Sequence, residues 1–354
     1  MRVGAGDRAA GRFLGSLPFA MMAVIAVTDV LAGPGAGFLP LLSLGPAFAS
    51  LSSSARRTAW IGLAALALCL ALAVYDELIG SRQNFLTLLS IGGVTGAAML
   101  ASASREGKER ELHDIRTVAE VAQRVLLRPV PRRVGPIHAA VSYTSAAARA
   151  RIGGDLYEVV TTPGGVRIIV GDVQGKGLDA VETAAVVLAA FREAAFDEPD
   201  LPSVVLRLEK ALGRQLTGEQ FVTAVLVEIA SERAKARLLN CGHPPPLLLR
   251  ADGHAEFADP PDVAPPLGLA SMTPVQASPY EIEFGPGDRM LLYTDGVIEA
   301  RDDRGAFYPL ADRSDLLRAH DPQEALDALP HDLVRYVGGP IDDDAAMLLL
   351  RRRQ

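Results

Sequence analysis

The residues best suited to chemistry in this chain of 354 are its aspartates. Asp155 follows Gly153 and Gly154 at the start of a strand-like run, and Asp172 follows Gly171 at the end of the next. Asp295 closes the apolar run Met290–Thr294, and Asp342, Asp343 and Asp344 open the last one. Apolar strands gain nothing from carboxylates at their ends. Several brought together repel, and their pKa values rise unless cations stand between them. Oxygen donors with little Cys or His suit Mg2+ or Mn2+. Taken singly, each Gly-Asp reads equally as a turn or a helix N-cap, and spacing alone does not make them converge.

Other candidates are weaker. The stretch 171–177, GDVQGKG, suggests a nucleotide P-loop, but three residues separate Gly171 from Gly175 where four are needed. Gly177 also replaces the Ser/Thr that would hold Mg2+. Its glycines fit close backbone approach ahead of a helix that starts near Leu178, and Lys176 reads as solvated or as attracting phosphate. His243, followed by three prolines, reads as structural, with proton donation as the other reading. Cys69 and Cys241 are the only cysteines, too few for a disulfide framework or a cysteine-based zinc site.

The elements that must position these residues begin near position 134. Tyr157–Thr162 and Val166–Asp172 are β-branched runs joined by Pro163, Gly164 and Gly165, which predicts a hairpin. Helices are expected over Leu178–Phe196, Ser203–Leu216, 313–319 and 322–337. Strands are expected over Phe221–Ala230, Ala234–Asn240, Pro246–Arg250, Tyr280–Phe284, Met290–Thr294 and Ala345–Arg351. Strands outnumber helices and most are hairpin-linked, so the expected class is α+β, with antiparallel sheets covered by helices.

Six segments appear in order: RIGGDLYEV (151–159), IVGDVQGKGL (169–178), FVTAVL (221–226), NCGHPPPLLLR (240–250), PGDRMLLYTDGVIEARD (286–302) and DDDAAMLLLR (342–351). Over roughly 134–352 the set closely resembles the metal-dependent protein phosphatase (PPM) family in its bacterial SpoIIE-like branch. The resemblance implies two antiparallel sheets packed face to face with helices outside, and removal of phosphate from serine and threonine of partner proteins, typically anti-sigma-factor antagonists. It also implies a centre of two Mn2+ or Mg2+ ions. In that pattern Asp172 bridges the metals with the Val173 carbonyl as a further ligand, Asp295 and Asp343 hold the second metal, and Asp155 binds directly or through water. Asp344 is the neighbouring candidate, because three acids in a row leave the register open by one. Glu158 stands where the family commonly has Asp, a longer arm expected to alter metal affinity and the one feature favouring a phosphoprotein-binding module without turnover.

The first hundred residues are of another kind. Four apolar runs, Phe13–Ala32, Gly37–Ser53, Ala59–Tyr75 and Phe85–Ala103, each approach the length that crosses a bilayer, the second being broken by Pro40 and Pro46. A cleaved signal peptide is the other reading of the first run, but three more follow it. With four spans, Arg2, Arg8, Arg12, Arg56, Arg57, Arg105, Lys108 and Arg110 all fall on one side, which places both termini in the cytoplasm. The expected organisation is an anchor over 1–104, a helical linker over 105–133 and a phosphatase domain over 134–354. Leu112, Ile115, Ala119, Ala122 and Leu126 recur at helical spacing, so residues 105–128 suit a homodimeric contact or a helix packed on its own domain. Residues 1–104 carry six Arg against four acids, a net of +2, so −9 falls on 105–354. That balance argues against a nucleic-acid partner; the partners expected are a phosphorylated protein and the lipid bilayer.

Overall fold

The computed structural model describes residues 5–33, 37–144, 153–215, 220–270, 277–341 and 343–353. The chain divides into two compact units, Met1–Asp114 and Ile115–Gln354.

The first unit is helical: α1 (Ala5–Ala32), a 3-10 turn (Leu39–Ser43), α2 (Leu44–Ser52), α3 (Ala55–Tyr75) and α4 (Arg82–Leu126). Three of these, over Gly15–Ala32, Ala55–Tyr75 and Arg82–Glu111, are long and apolar enough to cross a membrane. The second apolar run differs from expectation. It folds as two short pieces over Leu39–Ser52. Pro40 and Pro46 each sit in a first turn, where a missing N–H costs nothing but the helix must start afresh. The fourth run and the linker form one helix. Helix α4 is continuous for 45 residues, because 105–111 holds no breaker but Gly107, and Pro129 lies beyond its end. The side chains of Leu112, Ile115 and Ala119, on which the dimer expectation rests, lie outside the described residues.

The second unit is the expected sandwich. One sheet has the order β1-β2-β11-β10-β7-β8 and the other β3-β4-β5-β6-β9, with every pairing antiparallel. The strands are β1 (Arg133–Val134), β2 (Ile137–Thr144), β3 (Leu156–Thr162), β4 (Gly165–Val173), β5 (Val222–Ala230), β6 (Lys235–Cys241), β7 (Leu247–Leu249), β8 (Ala255–Phe257), β9 (Tyr280–Glu283), β10 (Arg289–Tyr293) and β11 (Ala345–Arg352). Helices α5 (Leu178–Asp197) and α6 (Leu201–Leu212) cover the second sheet. A 3-10 segment (Leu310–Arg318) and α8 (Pro322–Val337) cover the first, and the single turn α7 (Asp295–Ile298) follows β10.

Strand β11 explains the layering. Ala346, Leu348 and Leu350 belong to the core between the sheets, while Ala345, Met347 and Leu349 belong to the core under α8. A strand buried on both faces reads as a continuous apolar run, as AAMLLL does. Helix α8 starts where Asp321 accepts the Gln323 N–H at 2.9 Å with Pro322 in the first turn. It ends at Gly338, with φ of 73°.

Candidate metal centre

Two strand pairings, one in each sheet, bring the aspartates together. The register Leu156↔Gly171 sets Asp155, just before β3, beside Asp172 near the end of β4. The register Tyr293↔Met347 sets Asp295, just beyond β10, near Asp343 and Asp344, just before β11. The sheets are tied at this end by Thr294, whose hydroxyl donates to Asp155 Oδ2 at 3.0 Å and accepts the Ala346 N–H at 2.9 Å. A side chain on Gly154 would run into the Val173 carbonyl, and one on Gly296 into the Asp344 carbonyl. Only glycine lets these backbones close on each other.

The electrostatics are those of carboxylates gathered around a single lysine, Lys176. Burial, then Asp172, Asp344 and Asp295, hold the Asp155 carboxyl well above its usual range, with the Thr294 hydrogen bond opposing. Asp172 is pushed up to about 7 by burial and by Asp295 and Asp343, with Lys176 opposing. Asp295 is raised by burial and then by Glu299 and Asp343. Among the described residues no three of these groups already close on a common point as a ligand set. The donors present are hard oxygens on facing strand ends, a set that fits Mg2+ or Mn2+ and could draw tighter around them.

Asp343 and Asp344 part company. Asp343 is half-exposed and forms an ion pair with Lys176 Nζ at 2.6 Å. Asp344 is buried, and its Oδ2 accepts the Gly153 N–H at 2.8 Å and the Tyr143 hydroxyl at 2.6 Å. That oxygen is committed to holding the Gly153-Gly154-Asp155 turn. Asp342 lies outside the described residues.

Several supports carry no local signal in the sequence. Gln123 of α4 donates to the Gly153 carbonyl at 3.1 Å and to Tyr143 Oη at 2.9 Å. His243 is buried and held down to about 4 by burial, so it stays neutral. Its Nε2 lies 3.1 Å from the Tyr293 carbonyl, which only a donor can satisfy, leaving Nδ1 to accept from the Thr223 hydroxyl at 3.0 Å. The imidazole thus braces β5 against β10, at Thr223, which is Asp172's cross-strand partner, and at Tyr293, two residues before Asp295. This is the structural reading of His243. Lys176 differs from a solvated lysine by its bond to Asp343. Glu158 points away from the centre, pairing with Arg192 Nε of α5 at 2.5 Å. Leu156 and Glu158 share one face of β3, the one opposite to Asp155, so its longer arm does not reach the gathered aspartates.

Residues 162–353 match the family described as Stage II sporulation protein E (SpoIIE). The phosphoserine phosphatase RsbU of Bacillus subtilis (strain 168) is 24% identical over 267 residues, 73% of this chain and 76% of its own. The structure of the RsbU and RsbW domains of Rv1364c from Mycobacterium tuberculosis aligns at 26% identity and a TM-score of 0.52. That alignment covers 62% of this chain and 61% of the other, so the present chain spans about three-fifths of that protein. The SiaA PP2C domain of Pseudomonas aeruginosa aligns at a TM-score of 0.58 and 20% identity, over 69% of this chain and 98% of the domain, a likeness of fold. The family match extends over more than half of the sequence and takes in β4, β10 and β11 with their aspartates, and the chain therefore belongs to the SpoIIE family of PPM-type protein phosphatases.

Proposed function

We propose that this protein is a membrane-anchored, divalent-metal-dependent phosphatase acting on phosphoserine or phosphothreonine of a cytoplasmic regulatory protein, in the class of anti-sigma-factor antagonists. The observation that carries the reading is the meeting of Asp155, Asp172, Asp295 and Asp343 at one end of the two sheets, with burial and mutual repulsion raising the first three. These four and the Val173 carbonyl would hold two Mn2+ or Mg2+ ions. Asp344 supports them through the Gly153 turn. When bound, the cations would supply an activated water and offset charge on the phosphoryl oxygens. The chain's own part is to orient. Thr294 fixes one oxygen of Asp155, His243 braces the strands behind Asp172 and Asp295, and Lys176 sets a positive charge beside Asp343.

The substrate class draws on the relatives, one named a phosphoserine phosphatase and another joining RsbU and RsbW domains in one chain. The apolar helices of the first unit supply the anchor, with the catalytic domain in the cytoplasm. Residues 105–128 supply a homodimeric contact that could relay a signal along α4. The test is phosphate release from phosphoserine and phosphothreonine peptides by the full chain in detergent, with Mn2+, Mg2+ or chelator. Release that needs the metal and falls to background in Asp172→Asn is expected; release that persists in chelator or in the variant removes the proposal.

A further inference from the structure

At the end of the first sheet opposite the aspartates, its outer face carries a row of basic side chains. The registers Arg133↔His138, His138↔Arg351 and Arg351↔Arg289 set four basic side chains directly opposite one another across β1, β2, β11 and β10. Opposed residues of antiparallel strands share a face, and like charges placed there are destabilising. Among the described residues no carboxylate pairs with Arg133, Arg289 or Arg351. Arg289 donates to the carbonyls of Leu317 and Arg318, and Arg351 Nη1 donates to that of His320 at 2.7 Å. Arg353 Nη1 donates to the Gly135 carbonyl at 3.2 Å. Asp321 lies 3.8 Å from Arg132, and its Oδ1 is already spent on capping α8. Burial together with Arg133, Arg353 and Arg351 holds His138 below its ordinary range.

A pocket of about 270 Å³ opens on this row, lined by Arg132, Arg133, His138, Arg351, His320 and Gln323 and also by the acidic Asp321. It lies beside the first turn of α8, where the helix dipole is positive. Planar guanidinium groups match phosphate oxygens two at a time. Strand β11, eight residues long, separates the pocket from Asp343 by about 25 Å at ~3.4 Å per residue, too far for one phosphoryl group to touch both.

We propose that this pocket binds a phosphate-type dianion at a site separate from the metal centre, the anion offsetting the charges of Arg133 and Arg351 on either side of His138. Inorganic phosphate and a phosphorylated lipid headgroup present the same oxygens. The inference does not depend on the phosphatase reading.

The test uses the full chain in detergent with excess chelator, so that no divalent ion recruits phosphate to the aspartates. Inorganic phosphate is titrated at constant ionic strength against chloride, following the thermal midpoint and the 31P linewidth. A second arm reconstitutes the chain in phosphatidylcholine nanodiscs with and without phosphatidic acid. The expected result is a rise in midpoint with at least one of the two anions, weakened fivefold or more in apparent affinity by Arg133→Gln and by Arg351→Gln and partly kept by Arg133→Lys. Whichever arm responds names the source. Without added anion, Arg133→Gln is expected to melt no lower than the parent, since it removes an opposed charge, whereas a purely structural arginine would lower it. Should Arg351→Gln not fold, Arg133→Gln on the exposed edge strand carries the comparison. Equal responses in parent and variants, or no response to either anion, overturn the site.

Discussion

Asp343 and Asp344 are adjacent carboxylates separated by environment. Residue 343 precedes the strand, half-exposed beside Lys176, while 344 is turned into the protein to receive the Gly153 N–H and the Tyr143 hydroxyl. The carboxylates that face one another carry the electrostatic cost, which predicts a pH signature in the metal-free protein. Asp172 takes up its proton at about 7 in the folded chain and near ~3.9 when unfolded. Folding therefore favours the protonated form. The stability this group contributes is full below about pH 4 and is lost as the pH rises through about 7. Asp172→Asn cannot ionise and escapes that loss, while His243 is common to both chains and cancels in the difference. With chelator present, the variant should lie close to the parent at pH 4 and exceed it at pH 8 by on the order of 1–3 kcal/mol. Denaturant unfolding across that range measures the gap, and a gap independent of pH would remove the claim that repulsion among these aspartates strains the fold.

At the scale of elements, the hairpin β3–β4 and the closing strand β11 were readable because turn residues and apolar runs announce them. Pro163 and Gly164 lie between two β-branched runs, and AAMLLL has both faces buried. The aspartates were legible for the same reason, since each stands at the end of such a run. Strand β2, IHAAVSYT, carries no such signal. Its two alanines weaken β-propensity, and what holds it is its eight-residue pairing with β11. Tyr143 belongs to it, and Gln123 is hidden inside the apolar stripe of α4. Neither has a local signal, because their partners lie 201 and 30 residues away. Their joint role predicts that Gln123→Ala, which deprives the buried Gly153 carbonyl of its donor, costs on the order of 1–3 kcal/mol of stability. The same change should lower metal affinity or turnover by about 10- to 100-fold, as loss of an outer support does. Isothermal titration with Mn2+ beside a peptide assay decides it, and metal affinity equal to the parent's would show that the turn holds itself. Tyr143→Phe, which keeps the ring and removes the hydroxyl from Asp344, should fall in the same direction.

For the whole molecule the question is parity, because three crossings would put the two ends of the chain on opposite sides of a bilayer and four would put them together. The helices long enough to cross number three among the described residues, yet the hydrogen bonds of the first unit argue for four passages. Arg57 Nη2 donates to the Gly15 carbonyl at 3.2 Å, and Arg105 donates to the carbonyls of Ser50 and Ser53 at 2.7 and 2.9 Å. The Ala55 N–H reaches Glu106 at 3.0 Å. Position 15 of α1, the junction of α2 with α3, and position 105 of α4 therefore lie at one end of the unit. We infer that the short apolar piece Leu39–Ser52 covers the return from the other end. Its 14 residues fall below the ~20 that a straight span needs, a shortfall met by local thinning of the bilayer or by the shelter of neighbouring helices. The arginines at this shared end are the ones that orient a membrane protein with that side in the cytoplasm. In intact cells, tags on both termini should then be protected from added protease and become accessible together on lysis. A cysteine replacing Ser81, in the opposite connection, should react with an impermeant maleimide while one replacing Ser54 does not. Tags that separate, one exposed and one protected, would mean that Leu39–Ser52 does not cross, and an exposed C-terminal tag would place the aspartates on the far side from any cytoplasmic substrate.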